Sequence, residues 1–180
     1  MNKYNIIFLD IDGVMNSVQY DCWRQNKKLN RLRYGSIDPR ECYRMAKFCE
    51  DNNVKLVISS SWRNGNSWKQ NNKDFIRDGN GLGEFHLHGL EILAPYVVGV
   101  TPYSKSRHRG QEIQYFIDIT NGKYPEYRKI MKEDFTILNY CIVDDDNDML
   151  DIQKKNFVQT NPWTGITRKN YHKIKEILKL

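Results

Sequence analysis

Three aspartates stand where short apolar runs of the sequence end. Asp10 and Asp12 follow the run at residues 6–9, and Asp144 follows the run at residues 140–143. Carboxylates brought close together repel each other strongly unless a cation lies between them. Magnesium prefers such oxygen ligands, together with water and a substrate phosphate. The pattern therefore predicts a magnesium site, although Asp-Ile-Asp-Gly taken alone can also be an ordinary polar turn.

A phosphate ester bound to that magnesium would give the first two aspartates distinct roles. The Asp10 carboxylate could attack phosphorus and form an aspartyl-phosphate, which divides a difficult hydrolysis into two steps. Asp12 could protonate the departing oxygen and then deprotonate the attacking water. Magnesium would neutralise the phosphate and align it with Asp10. The chemistry that these residues suit is phosphate-ester hydrolysis.

A run of three serines supplies a second chemical group. Ser59, Ser60 and Ser61 follow the apolar run at residues 54–58. A hydroxyl at such a position can hold a phosphoryl oxygen, and it can also be a solvated exit from a strand. All these groups would meet if the apolar runs were parallel strands, because ligands of a parallel sheet bind at the carboxyl ends of its strands.

The elements predicted around these residues support a parallel sheet. The three apolar runs are typical of strands buried on both faces. Residues 39–52 have helical spacing, with Asp38 as the N-cap and Pro39 at the first helical position. Further elements are predicted downstream: a short helix broken by Pro95 and a strand within 90–100, a helix from near Arg109, an apolar run at 135–138 separated from 140–143 by Asn139, a last strand at 156–160 and an amphipathic helix at 168–180.

Composition sets broad limits on the class of protein. A chain of 180 residues with 39% hydrophobic content predicts a single domain over residues 1–180, with small insertions around 15–37 and 64–90. The net charge of +6 favours anionic partners, or simply reflects general solubility. Without a long apolar run or a signal peptide, we expect no membrane span and a cytoplasmic location. Four cysteines without zinc-ligand spacing are predicted to be free thiols, buried at Cys42, Cys49 and Cys141.

Three motifs, in the required order, resemble those of the haloacid-dehalogenase-like (HAD) superfamily. They are Phe-Leu-Asp-Ile-Asp-Gly-Val at 8–14, Ile-Ser-Ser-Ser-Trp-Arg at 58–63 and Asp-Asp-Asp-Asn-Asp at 144–148. The Ser-Ser-Trp-Arg sequence, Arg-Gly-Gln-Glu-Ile at 109–113 and Gly-Ile-Thr at 165–167 resemble the small HAD domains associated with RNA-repair (Swiss Army Knife) proteins. The resemblance implies an α/β fold, a Rossmann-like three-layer sandwich around a central, mainly parallel sheet, with little or no cap domain.

The resemblance also implies roles for individual residues. Asp10 would be the nucleophile, Asp12 its proton-transfer partner, and Ser60 the phosphoryl-binding hydroxyl, with Ser59 and Ser61 as rivals. Arg109 would offset negative charge at the start of its helix, a role for which Lys105 competes. The remaining assignments form two groups. Substrate-binding residues would include Ser59, Ser61, Arg63 and Gly13, and Mg²⁺ ligands would be Asp10, Asp12, Asp144, Asp145 and Asp148.

The sequence restricts the substrate class less than it restricts the type of reaction. A site without a cap would admit a phosphorylated nucleic-acid end as well as a nucleotide. Basic and aromatic residues alternate through 23–34, which could provide phosphate contacts and stacking, or could be a solvated charged face. The competing hypothesis is a catalytically silent module that binds phosphorylated ligands or nucleic acid. The oligomeric state stays open.

Overall fold

The computed structural model describes residues 1–26, 37–64, 90–104 and 108–180 of the chain. The strands are β1 (Asn2–Leu9), β2 (Val54–Ile58), β3 (Val97–Val100), β4 (Phe135–Asp144) and β5 (Phe157–Gln159). The α-helices are α1 (Val18–Asn26), α2 (Pro39–Asn52), α3 (Arg109–Thr120) and α4 (Arg168–Leu178). Short 3-10 helices lie at Ser61–Asn64, Glu91–Tyr96, Pro125–Ile130 and Asp151–Asn156.

The five strands form a single parallel sheet in the order β3-β2-β1-β4-β5. β1 is central, so that Leu9 at its end pairs with Ile58 of β2 on one side and Val143 of β4 on the other. Along the chain, β2 and β3 are added on one side of β1, and then β4 and β5 are added on its other side. Ligands of parallel sheets bind at such a reversal, outside the carboxyl ends of the strands.

Helices cover both faces of this sheet and give it three layers. Alternate residues of β1 face opposite ways: Ile7 and Leu9 belong to the core shared with α2 and α4, whereas Ile6 and Phe8 belong to the core shared with α3. Each side chain of this quartet is fully buried. The run at the end of β1 is therefore continuously apolar because both faces of the strand are buried, as predicted.

Local signals place the start of α2 where the sequence predicts it. Asp38 has an extended backbone and its side chain accepts a hydrogen bond from the Arg40 amide, while Pro39 occupies the first turn. The predicted short helix is the 3-10 helix Glu91–Tyr96, which leads directly into β3 and continues through Pro95 instead of breaking there. The start of α2 and the order of short helix and strand are confirmed.

Two strands are longer than the apolar runs indicate. β1 begins at Asn2 rather than at residue 6, and β4 continues through Asn139 without a break. The Asn139 amide donates to the side chain of Asn5 and to the carbonyl of Leu178, so a residue that is usually unfavourable in strands is satisfied here.

The predicted thiols and the membrane prediction can be compared with the described residues. All four cysteines are free; Cys42, Cys49 and Cys141 are buried as predicted, and Cys22 is exposed. Among the described residues, no helix combines the length and apolar character needed to cross a membrane. Most of the two predicted insertions, residues 27–36 and 65–89, lies outside the described residues, and so does Lys105.

Candidate active site

The candidate site forms at the carboxyl edge of the sheet, where β1 meets its neighbours. The Asp10 amide donates to the Val143 carbonyl, and the Ser59 amide donates to the Leu9 carbonyl, so the parallel hydrogen-bond pattern continues one residue beyond the strands. This places the residue after β1 level with the last residue of β4, Asp144. Motifs separated by more than 130 residues in the sequence are thereby brought together.

Asp10 is a buried carboxyl group with polar partners. Ser60 donates a hydrogen bond to it, and Arg109 Nη2 lies 3.4 Å from its Oδ1 atom. Burial raises the pKa of Asp10 well above its ordinary value, although Arg109 and the Ser60 hydrogen bond oppose this shift. Because a charged nucleophile is costly at such a position, the site needs positive charge to keep Asp10 ionised.

Asp10, Asp144 and Asp145 form an acidic cluster in which one carboxylate oxygen of each lies within 4.8 Å of the others. Burial raises the pKa of Asp144, and the neighbouring Asp10 raises it further. Asp144 Oδ1 accepts the Asp146 amide. Its buried Oδ2 lies 3.3 Å from Arg109 Nε in an ion pair but accepts no hydrogen bond within the described part of the chain. Mutually repelling carboxylates with such an oxygen fit a divalent cation that prefers oxygen ligands, as predicted for Mg²⁺.

Asp12 lies apart from this cluster and is held by other side chains. Its Oδ2 atom accepts a 2.8 Å hydrogen bond from Trp62 Nε1, and its Oδ1 atom accepts one of the same length from Asn16 Nδ2. Asn16 also accepts the Gly13 amide, which ties the turn after β1 to the same side chain. The Asp12 residue is exposed, so its carboxylate is fixed in orientation while open to solvent.

Asp148 is also outside the acidic cluster, and its side chain holds the start of α3. Its Oδ2 atom accepts the Arg109 amide at 2.8 Å, and the Gly110 amide donates to its backbone carbonyl. Its Oδ1 atom is buried without a hydrogen-bond partner in the described chain. Among the predicted metal ligands, the structure therefore groups Asp10 with Asp144 and Asp145, and places Asp12 and Asp148 in positions next to this group with partners of their own.

Arg109 provides the positive charge at the centre of the site. Its guanidinium group lies 3.4 Å from Asp10, 3.3 Å from Asp144 and 3.6 Å from Glu112, and 19% of the side chain is exposed. A guanidinium group suits this position because it presents several donors to several carboxylates at once and stays charged. The structure thus brings Arg109 to Asp10, whereas the competing Lys105 lies outside the described residues.

A backbone approach fixes the segment that carries Arg109. At Gly110 a Cβ atom would lie 2.5 Å from the Leu150 amide nitrogen and 2.7 Å from the Gln153 side-chain oxygen. Gln153 is fully buried; its amide donates to the Gly110 carbonyl and its Oε1 atom accepts the Leu150 amide. Only glycine permits this approach, and the contact locks α3 onto the loop that carries Asp148.

The three serines have different positions. Ser59 is buried and its hydroxyl contacts the Thr101 hydroxyl at 3.5 Å. Ser60 is fully buried and is the one that hydrogen-bonds to Asp10, while Ser61 is exposed and begins the 3-10 helix Ser61–Asn64, which also contains Arg63. The structure brings Ser60 to the nucleophile position and leaves its two neighbours aside.

Gly13 supports the acidic cluster by its lack of a side chain. Its φ angle is +65°, a left-handed conformation, and a Cβ atom there would lie 2.4 Å from Asp145 Oδ2. The Thr160 hydroxyl donates to the Gly13 carbonyl. Gly13 therefore makes room for the Asp145 carboxylate, a role distinct from the substrate contact predicted for it.

Sequence reasoning gave no role to three residues that contact the site. Trp62 and Asn16 orient Asp12, and Glu112 is a buried acid beside Arg109. Trp62 and Glu112 belong to the sequence motifs at 58–63 and 109–113, so the residue types at these two positions could have indicated a role in the site. Asn16 carried none, because an asparagine shortly after Asp-x-Asp-Gly is also typical of a turn.

The fold and the site together define the class of the domain. A Rossmann-like parallel sheet with Asp10 at the end of its central strand, an acidic β4 terminus and a serine at the end of β2 is the arrangement of a HAD-type domain. The chain belongs to the family described as the HAD domain in Swiss Army Knife RNA repair proteins, whose sequence model matches residues 6–171. Comparisons with curated proteins and with solved structures gave no significant match. Family membership supports a HAD-type hydrolase in general terms.

Proposed function

We propose that the domain is a magnesium-dependent phosphomonoester hydrolase that forms an aspartyl-phosphate on Asp10. The observation that carries this proposal is the environment of Asp10: a buried carboxyl group at a strand end, hydrogen-bonded by Ser60, facing Arg109 and grouped with Asp144 and Asp145. A nucleophilic carboxylate needs to be ionised, held in place and surrounded by positive charge when a phosphate dianion approaches.

The cation would be held by Asp10, Asp144 and Asp145, whose oxygens already lie within reach of one point. When bound, magnesium supplies charge neutralisation to the carboxylates and to the substrate phosphate. Arg109 contributes a second, permanent positive charge beside Asp10 and Asp144. Ser60 would hold a phosphoryl oxygen, since its hydroxyl already points to the nucleophile.

Asp12 suits the proton transfers of both steps. In the first step the Asp10 carboxylate forms a bond to phosphorus, the ester bond breaks, and the proton of Asp12 goes to the departing oxygen. In the second step Asp12 removes a proton from water, water oxygen attacks phosphorus and Asp10 is released. Hydrogen bonds from Trp62 and Asn16 orient its carboxylate, and its exposure gives it access to water.

The substrate class we propose is a phosphorylated nucleic-acid end or a nucleotide. The family description names RNA repair proteins, and the net charge of +6 favours polyanionic substrates. We also propose a cytoplasmic location, because four free cysteines suit a reducing compartment.

The experiment is phosphate release, with and without Mg²⁺, from 3′-phosphorylated and 5′-phosphorylated oligonucleotides, free nucleotides and an aryl phosphate. The wild-type domain is compared with Asp10→Asn, which is close in size and cannot form the aspartyl-phosphate. We expect Mg²⁺-dependent release that the variant loses while its unfolding transition is retained. Undiminished turnover in the variant would refute the mechanism. Silence on every substrate would favour a module that binds phosphorylated ligands without hydrolysing them.

A further inference from the structure

A groove lies between α2 and α4, on the outer side of the helix layer. It is lined by α2 residues from Pro39 to Asn52 and by α4 residues from Arg168 to Lys175, and its volume is about 870 Å³. We call it the α2–α4 groove. None of the residues that we place in the catalytic site lines it, so the groove has no part in the chemistry proposed above.

We infer that the α2–α4 groove binds single-stranded nucleic acid. The first argument is charge. Five of the lining residues are lysines or arginines and one is an acid: Arg40, Arg44, Lys47, Arg168, Lys175 and Asp51. Each of the three α2 cations forms an ion pair with an acid on the same helix or directly before it. Arg168 and Lys175, in contrast, make no ion pair within the described residues. The α4 wall therefore offers positive charge that an anionic backbone can neutralise.

The second argument is the exposed ring of Tyr43 between these cations. Tyr43 is 62% exposed although it is a large ring, whereas Phe48 and Tyr171 are buried and pack against each other with ring centroids 5.3 Å apart. Of these three lining rings, Tyr43 is therefore the one that a base can reach. Lys175 Nζ lies 6.0 Å from the Phe48 ring centre. Rings flanked by cations are the usual means of holding unpaired bases, because every base can stack on an aromatic face while the phosphates meet lysine and arginine. An acidic protein segment would use the cations but would have less need of the exposed ring.

The third argument is the position of the groove relative to the catalytic edge. The Asp38 amide, directly before α2, donates to the Met15 carbonyl, and the Ile166 amide, just before α4, donates to the Val14 carbonyl. Both helices thus begin against the loop that follows Asp12. A strand lying along the groove would have one end near this loop. This last step rests on the proposed function, and it makes the phosphorylated end of a single strand the substrate.

Two double variants and two single variants test the groove. The first double variant, called the groove pair, combines Arg168→Glu with Lys175→Glu and reverses two charges that line the groove; the second is its control pair. Lys169→Glu with Lys173→Glu makes the same change in net charge on the same helix, at exposed positions that do not line it. At Tyr43, the Ala variant removes the ring and the Phe variant keeps it. Binding of a fluorescent, unphosphorylated single-stranded RNA is measured by anisotropy over a range of salt concentrations, with polyglutamate as a competitor.

We expect the groove pair to weaken RNA binding by about tenfold or more and to lower the slope of log affinity against log salt by about 1.4, since each single-strand phosphate contact contributes about 0.7. The control pair should retain most of the affinity and slope. Tyr43→Ala should weaken binding about fivefold or more, and Tyr43→Phe should not. Hydrolysis of a small aryl phosphate should be unchanged in all four variants.

Equal losses in the groove pair and the control pair would overturn the inference, because binding would then depend on overall charge. So would the absence of RNA binding, or competition by polyglutamate as strong as that by unlabelled RNA. The binding measurements do not depend on catalysis. RNA binding without phosphatase activity would refute the proposed function but not the inference about the groove. Phosphatase activity on small substrates without RNA binding would refute the inference about the groove but not the proposed function.

Discussion

Removing the Arg109 guanidinium should destabilise the metal-free domain strongly at high pH and weakly at low pH. In the folded state this group lies within 3.6 Å of Asp10, Asp144 and Glu112. Its removal leaves buried carboxylates without their cation. Breaking a buried ion pair from one side costs about 3–5 kcal/mol, and we expect about 3 kcal/mol for Arg109→Ala because the side chain keeps some contact with solvent.

The pH dependence follows from the direction of the shifts. Burial raises the pKa of Asp10 and of Asp144 in the folded protein, so their ionisation destabilises the folded state. This unfavourable contribution is absent below the unfolded pKa and grows as the pH rises through the raised pKa. Arg109 counters it only where the carboxylates are ionised. The loss in Arg109→Ala should therefore shrink from about 3 kcal/mol near pH 9 to about 1 kcal/mol near pH 5, where the lost packing remains.

Urea denaturation of the metal-free protein at the two pH values measures these free energies of unfolding. Arg128→Ala is the control, because Arg128 pairs with the exposed Asp134 and solvent screening keeps that pair to about 1 kcal/mol or less. Turnover of Arg109→Ala with Mg²⁺ should fall about 100-fold or more, as expected when a preorganised donor is lost. A stability loss that is equal at both pH values, or turnover at the wild-type level, would refute the role given to Arg109.

Other changes give simpler outcomes. Asp144→Asn should raise the Mg²⁺ concentration needed for half-maximal turnover by about tenfold or more; an unchanged metal titration would remove Asp144 from the metal site. Trp62→Phe loses the hydrogen bond to Asp12 and should lower kcat about tenfold and alter the pH–rate profile, whereas the exposed Trp163→Phe should change neither. Gly13→Ala places a Cβ atom 2.4 Å from a carboxylate oxygen of the acidic cluster, so Mg²⁺ affinity measured by calorimetry should fall about tenfold; wild-type affinity would show that the carboxylate can move aside at little cost.

The central part of the fold could be predicted because its strands are buried on both faces. The runs that end in Asp10, in the serines and in Asp144 carry continuous apolar residues, and parallel topology then implies a common edge. The exposed beginning of β1 at Asn2 has no such pattern, since its pairing with the start of β4 is made by backbone bonds that any sequence can form. Asn139 was misleading for a related reason: its partner, Asn5, lies on another strand.

The identity of the acidic residues in the candidate site could be predicted from the sequence, whereas the orientation of their side chains could not. Motif spacing identifies Asp10, Asp12 and Asp144, but the direction of a carboxylate depends on its hydrogen-bond partners. Trp62 is 50 residues from Asp12 in the sequence, and only the meeting of two strand ends brings them together. In the same way, the choice of Ser60 over its neighbours needs the orientation of each hydroxyl.

The contact between Gly110 and Gln153 has a consequence for the history of the chain. The two residues are 43 positions apart, yet the glutamine side chain fills the space that a side chain at position 110 would need. A change at one position alone disturbs the attachment of the charge-bearing helix to the acidic loop. Because the Leu150 backbone nitrogen alone excludes a Cβ atom at position 110, we expect glycine there in related sequences whichever residue replaces Gln153. An aligned set of relatives can be inspected for this without further experiment on this protein.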